Sequence, residues 1–471
     1  MRLLKTLTIF LCAVFVLFPV FSQSKEQIKN GAILHAWCWS FKTIEKNLPK
    51  IKEAGFTSVQ TSPANTCLVG DYGDLNLMSD DTTGKWYYHY QPTDWKIGNY
   101  QLGTRDDFIS MCKKADELGI AVIVDVLPNH TTPRISEIAS EFAEAVGGMS
   151  KMFHKNSDHQ IRNYDDRLEC TTAQMGGLPD VNTENPLFQA YYMKYVNDLI
   201  DCGADGFRYD TAKHIGLPDD PKDAYSPKNN FWPIFLGKEP IDGVWLKNAE
   251  NLFIYGEVLQ GRKSREGDYG KIMPVVASSY GAILRSALKS AKFTAKGLND
   301  WRHPAAPENI VTWVESHDTY ANHGESAGLT HAQLRLGWAL ICARAGGTPL
   351  FFNRPKGAEA TQFPGVSKIG DEGNDEYFNP EVVAVNKFRT EMTGEPEQLV
   401  NGVNPSLLAV LRGKKGAVLI NVSETKAQKV SIPVELPDGV YVDHATKKNK
   451  FTVQGGILTG KLARQKIAVL Y

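Results

Sequence analysis

The chain has no Cys-x-x-Cys pair and no cysteine–histidine spacing of the kind that holds zinc, which excludes the common sequence-encoded metal modules. It has no surplus of charge either. Its 52 Lys and Arg stand against 53 Asp and Glu, a formal net charge of -1, so nothing in its balance draws it to nucleic acid or to an anionic membrane surface. A neutral partner fits better. Internal repeats and low-complexity tracts are absent. Long apolar runs are confined to residues 7–20. Arg2 and Lys5 precede that run, a polar segment follows it, and Ser22 offers a small residue for cleavage. The run is short for a membrane span, so the expectation is a secretory signal peptide over residues 1–22, export to the periplasm or beyond, and no membrane insertion after cleavage. Cys12 lies inside the run, behind residues too bulky for lipoprotein processing. Six cysteines then remain. Four fall in apolar stretches, where a buried thiol is the common case, whereas Cys67 and Cys170 lie in loop-like sequence and could pair.

Hydrophobic residues make up 42% and charged residues 22% of the chain, the proportions of a soluble globular protein with a large core and at least one further domain. From about Gly31, short β-branched or apolar runs alternate with longer segments of helical period, the signature of a βα repeat. Strands are predicted at residues 32–37, 57–61, 121–126, 206–210, 252–256, 310–314 and 349–352, with a poorly marked sixth near 274–277. A βα barrel of eight units occupies roughly 250 residues, about 31 per unit. Asp125 and Asp210 are 85 apart (210 − 125), so an insertion follows the third strand. After about Glu395 the pattern changes to short strands at close spacing, punctuated by Asn404-Pro405, Gly413-Lys414-Lys415-Gly416 and Pro437-Asp438-Gly439. The fold class is therefore read as α/β: a (β/α)8 barrel over residues 23–130 and 186–394, an inserted subdomain B over 131–185, and a C-terminal all-β sandwich over 395–471.

The stretch Gly206-Phe207-Arg208-Tyr209-Asp210-Thr211-Ala212-Lys213-His214 carries the chemistry. Residues two apart on a strand share a face, so Arg208 and Asp210 would stand side by side. That pairing keeps a carboxylate ionised and aimed, as a nucleophile requires; alone, it would equally describe a structural ion pair. In βα barrels the active site lies at the C-terminal ends of the strands. There the third strand supplies Asp125 to His130, the fourth Arg208 and Asp210, the fifth Glu257, and the seventh His317 and Asp318. Three carboxylates from different strands, with an arginine and two histidines, suit glycoside hydrolysis. One attacks the anomeric carbon, another protonates the leaving oxygen, and a third holds the sugar as charge develops. A chitinase-type barrel fits poorly, for want of a closely spaced acidic run on one strand.

Asp125-Val126-Leu127-Pro128-Asn129-His130, Gly206-Phe207-Arg208-Tyr209-Asp210 with Lys213-His214, Gly256-Glu257-Val258 and Ser316-His317-Asp318 resemble, in order, the four signature segments of the α-amylase family of glycoside hydrolases. Leu178-Pro179-Asp180-Val181-Asn182 is similar to that family's segment in the inserted subdomain, and Tyr90-Gln91-Pro92 to its sugar-stacking loop. The resemblance implies Asp210 as nucleophile, Glu257 as general acid/base and Asp318 as transition-state stabiliser. It implies Arg208 as the residue orienting the nucleophile, His130 and His317 as ligands of the central sugar, Tyr90 as its stacking platform, and Lys213-His214 as a pair found in starch-degrading members. Asn129, Asp180 and the backbone carbonyl of His214 match three ligands of the family's structural Ca²⁺, a set of oxygen donors that a hard cation prefers. Chloride is not implied, because Ser316 replaces the Asn that binds the anion in chloride-activated members. The expected function is an exported endo-acting hydrolase of α-1,4-glucans that retains configuration. Alternatives are a transglycosylating or maltooligosaccharide-forming relative and, from another class, a non-catalytic glucan-binding protein on the same fold. Asn129-His130-Thr131 and Asn421-Val422-Ser423 are formal glycosylation sequons.

Overall fold

A computed structural model describes residues 25–70, 75–78, 85–226 and 228–471. The expected signal peptide lies outside them, and no described helix is long and apolar enough to cross a membrane. Eight short strands, β1 (Ile33–Ala36), β2 (Ser58–Thr61), β3 (Ala121–Val126), β4 (Gly206–Tyr209), β5 (Phe253–Gly256), β6 (Val275–Val276), β7 (Ile310–Thr312) and β8 (Thr348–Phe352), close in sequential order into a parallel barrel. The alternation of side chains along a strand divides their residues between two cores. Ile33, Ile123, Phe253, Val311 and Leu350 form one apolar cluster. The intervening residues Leu34, Val59, Val122, Val124, Phe207 and Ile254 join the larger cluster that also holds the helices. Burial of each such side chain contributes about 1.5–3 kcal/mol. Two positions beyond Ile33, Ile123 and Phe253 stand His35, Asp125 and Tyr255, all buried. The inside of the barrel thus changes from apolar to polar towards its C-terminal end.

Local sequence fixes the joints. Helix Arg105–Leu118 opens with a capping box between Thr104 and Asp107 and closes on Gly119, whose φ of 65° is the left-handed conformation glycine adopts at little cost. Helix Pro186–Asp201 has Asn185 as its cap and Pro at its first turn, then delivers the chain to β4. A Cβ at Gly206 would lie 2.2 Å from the Phe253 carbonyl oxygen, so the close approach of β4 and β5 requires glycine there. Between β3 and helix Pro186–Asp201 the chain runs through short helices, Ser140–Ala145, Met149–Met152 and Arg167–Cys170. Isolated bridges such as His130 to Asp180 and Phe153 to Val181 join its ends.

The C-terminal strands are β9 (Glu397–Asn401), β10 (Leu407–Arg412), β11 (Gly416–Asn421), β12 (Gln428–Pro433), β13 (Gly439–Val442), β14 (Lys450–Gln454), β15 (Ile457–Leu462) and β16 (Lys466–Leu470). They make two antiparallel sheets, ordered β9-β10-β11-β16 and β12-β15-β14-β13. Leu407, Ala409, Leu419, Val430, Phe451 and Leu458 form the core between them. The other face of the first sheet, Leu408, Val410, Val418 and Ile420, belongs to the main core, which is why β10 and β11 read as unbroken apolar runs. The poorly marked sixth barrel strand is only two residues long. Strands β9, β14 and β15 escape the sequence reading because their outward residues are mostly polar and each buries only a few side chains. The six described cysteines are all free and buried, so the pairing that Cys67 and Cys170 left open is not formed. Asn421 is fully buried and its amide donates to the carbonyls of Lys426, Leu462 and Ala463. Its sequon is closed to a glycan.

Candidate active site

Barrel closure turns distant strand ends into neighbours. Arg208 lies opposite Asp125 and Tyr209 opposite Gly256, so Asp210 and Glu257 emerge beside one another on the rim. The Arg208 guanidinium, 4% exposed, is the hub. Its Nη1 donates to both oxygens of Asp125 at 2.7 Å and to Asp210 Oδ1 at 2.8 Å. Its Nη2 lies 3.1 Å from Glu257 Oε1. Tyr90 donates its hydroxyl to Asp125 Oδ2 at 2.8 Å. Thr211, directly after Asp210, has a φ of 48°, an uncommon conformation for a β-branched residue that costs about 1–3 kcal/mol. The strained turn aims the Thr211 N–H at Glu257 Oε2, 2.9 Å away.

Asp318 stands at the start of a π-helical turn, Asp318–Asn322, and accepts from the Asn322 amide. Burial raises the whole group. Asp125 is pushed up to about 7 and Asp210 to about 6, against the opposing pull of Arg208. Glu257 is raised by burial, with Arg208 opposing and the Asp318 charge adding to the rise. Four carboxyl groups around one guanidinium cannot all be ionised. Asp125 and Asp210 take the shorter bonds from Arg208, at 2.7 and 2.8 Å against 3.1 Å for Glu257, which favours their ionised forms and leaves Glu257 the better place for the proton. That is the division a nucleophile and a general acid need.

Asp210, Glu257, Asp318, Tyr90, His130, Lys213, His214 and His317 all line one cleft of about 590 Å³, with Trp86 and Leu259 among its walls. Arg208 lies beneath. His130 and His317 are 1% and 4% exposed, and burial holds both below the usual imidazole range. A neutral imidazole carries one donor and one acceptor, a match for sugar hydroxyls. The expected stacking platform, Tyr90, is 8% exposed, with its ring stacked on His317 at 5.1 Å and 17°. Lys213 extends over the Tyr164 ring, 5.4 Å from its centroid, at the edge of the cleft. The His214 ring bonds the Cys170 carbonyl at 2.8 Å, leaving its backbone carbonyl as the donor the resemblance offers to a cation.

At the join of β3 and the insertion, Asn129 Nδ2 lies 3.3 Å from Asp180 Oδ2, and both side chains are buried. Here the amide turns its N–H to the carboxylate; with the amide reversed, its Oδ1 and Asp180 would be two oxygen donors of the kind a hard cation takes. The remaining Asp180 oxygen bonds His154 Nδ1 at 2.6 Å, and His154 Nε2 bonds Glu184 at 2.7 Å. Burial alone would lower His154, but these two carboxylates raise it to about 10. His154 and Glu184 had no motif to reveal them. Asp125, by contrast, is already placed by the sequence at the end of the third strand. The sequence reading also missed the buried pair of Arg354 with Glu315, bidentate at 2.8 Å, which ties β8 to the segment leading into His317 and Asp318. Removing one partner of such a pair costs about 3–5 kcal/mol.

A closed βα barrel with carboxylates converging on its C-terminal rim is the framework of a glycoside hydrolase. The family model described as "Alpha amylase, catalytic domain" matches residues 39–270. Over residues 39–270 the chain thus carries the catalytic domain of the α-amylase family of glycoside hydrolases. It is 45% identical over 470 residues to an alpha-amylase of Butyrivibrio fibrisolvens, across 95% of this chain and 48% of that protein. It is 37% identical over 471 residues to an alpha-amylase of Clostridium acetobutylicum, across 96% of this chain and 57% of that protein. The chain thus spans about half the length of these curated relatives. Among solved structures, alpha-amylase I of Eisenia fetida shares the fold, with a TM-score of 0.74 at 20% identity, over 94% of this chain and 97% of that one. A mutant of that enzyme in complex with maltohexaose gives 0.73 at 18% identity, with the same coverage.

Proposed function

We propose that this chain is an exported, retaining endo-α-1,4-glucan hydrolase acting on starch, glycogen and maltooligosaccharides by double displacement. One observation carries the reading: Asp210 and Glu257, on neighbouring strands, grip the same guanidinium. Adjacent strands lie about 4.8 Å apart, which suits the separation of about 5–5.5 Å of a retaining pair and not the roughly 6.5–9.5 Å of an inverting one. In the first step Asp210, held by Arg208, attacks the anomeric carbon as Glu257 gives its proton to the leaving oxygen. Asp318 and the two neutral histidines hold the sugar while positive charge develops. In the second step Glu257 takes a proton from water, which displaces Asp210. The maltohexaose bound by the E. fetida mutant is the kind of ligand that would fill the cleft here. An exchange of roles is disfavoured, because Asp210 takes the shorter bond from Arg208, 2.8 Å against 3.1 Å for Glu257, which favours the ionised form a nucleophile needs.

The products formed from soluble starch test this reading. Endo-cleavage gives a spread of oligosaccharides from the first minutes, with new reducing ends accumulating in step. Maltose alone from the outset, or no new reducing ends, would contradict it; products longer than an oligosaccharide substrate would favour a transglycosylase.

The division into barrel (23–130 and 186–394), insertion (131–185) and C-terminal sandwich (395–471) is part of the same proposal, supported by the change from parallel to antiparallel strands after residue 395. Export is supported by the basic and apolar pattern of residues 1–22. Asn129, Asp180 and the His214 carbonyl would hold Ca²⁺ between barrel and insertion. When bound, the ion would supply a positive charge that knits these segments and would take no part in bond cleavage. Chelation is therefore expected to lower the melting temperature, since a ligand that binds only the folded state stabilises it by mass action. An unchanged melting temperature with no calcium by elemental analysis would remove the ion from the proposal. Chloride is not part of it: the nearby Arg208 is already bonded to three carboxyl groups, with which an anion would have to compete.

A further inference from the structure

A second cavity, of about 310 Å³, adjoins the cleft. The two share Glu257, Leu259, His317, Asp318 and His323, whereas Asp210 and His130 line the cleft alone. The second cavity therefore meets the acid/base and not the nucleophile. Its inner end lies among the polar residues inside the barrel, His35, Gln60 and Tyr255. Its outer end passes Ala282, on helix Ser278–Lys289, and reaches Glu325, neither of which lines the cleft. Both of these residues are exposed, so the cavity opens to solvent. Arg285 holds Glu325 at 2.5 Å and fixes the outer wall.

The lining is suited to water. His35 is 1% exposed and its Nε2 has no hydrogen-bond partner in the protein. A buried polar atom of this kind is normally satisfied by water, and a site of about 10–15 Å³ already holds one molecule. From these observations we infer that the second cavity is the route by which water reaches the Glu257 side of the glycosyl-enzyme while glucan still occupies the cleft. The inference rests on the double-displacement reading. Water must arrive on the face the leaving group has vacated, beside Glu257. Its oxygen bonds the anomeric carbon, the bond from that carbon to Asp210 breaks with its electron pair going to the carboxylate, and the proton of the water passes to Glu257. A sugar hydroxyl at the same position gives transfer in place of hydrolysis. Access of water through this passage thus sets the partition between the two.

Ala282→Trp places an indole at the outer end of the passage from an exposed helical position, and Ala282→Phe repeats the test with a smaller ring. Ala282→Ser serves as the open control. With maltopentaose as substrate, the ratio of products longer than five units to hydrolysis products is measured together with KM and melting temperature. The Trp and Phe variants are expected to raise that ratio on the order of tenfold, which needs only a small rise in the barrier for water. KM and melting temperature should stay as in the parent, and the Ser variant should behave like it. An unchanged ratio would overturn the inference, and an unchanged ratio with a raised KM would show that the cavity seats sugar. Failure of the parent protein to cleave maltopentaose at all would instead overturn the hydrolase reading, and the water route with it.

Discussion

Asp210→Asn is expected to lower kcat on maltooligosaccharides by on the order of 10⁵-fold or more, the scale seen when a covalent nucleophile is removed. The amide keeps the size of the side chain but cannot form the glycosyl ester. Arg208 would still be held by Asp125 at 2.7 Å and by Glu257 at 3.1 Å, so the framework survives and glucan binding with it. Release of reducing ends, with binding followed separately, checks this. Turnover within tenfold of the parent protein would remove Asp210 from the nucleophile role.

For Glu257→Gln the expected fall is about 10²–10⁴-fold, the usual contribution of a positioned acid or base. The loss should be selective. A glycosyl fluoride, whose leaving group needs no proton, should restore the first step, whereas starch should not. The pH profile adds a second readout. Burial and the Asp318 charge raise the Glu257 pKa, so the acid stays protonated to higher pH than an ordinary glutamate. In the parent protein, kcat/KM should fall as pH rises through that ionisation. For glycosylation by the fluoride in the Gln variant, this alkaline limb should disappear. No rescue by fluoride, or an alkaline limb that survives the substitution, would assign the proton to another residue.

Much of the site was legible because its residues are tied to strand ends. Gly206 to Asp210 reads as a strand, and the two-residue period places Arg208 beside Asp210 without any coordinates. The match of Tyr209 to Gly256 across two strands could not be read in that way, because it depends on a close approach that only Gly206 permits. The left-handed Thr211 was equally hidden: nothing in a threonine announces a φ of 48°, and the conformation persists because β4, Glu257 and the following turn together impose it. His154 was lost for a different reason. It lies in irregular sequence, and its partners Asp180 and Glu184 are 26 and 30 residues away. Tyr90 was legible as a residue but not as an environment. Its ring is stacked on His317 because barrel closure brings the ends of β2 and β7 to the same rim.

The stereochemistry of the first product tests the joint assignment of Asp210 and Glu257 most directly. Attack by Asp210 inverts the anomeric centre, and attack by water assisted by Glu257 inverts it again, so the new reducing end starts as α. Proton NMR of freshly cleaved maltooligosaccharide should show the α-anomer first and the β-anomer only as mutarotation proceeds. A β-anomer appearing first would mean a single displacement by water, and Asp210 could not then be the nucleophile.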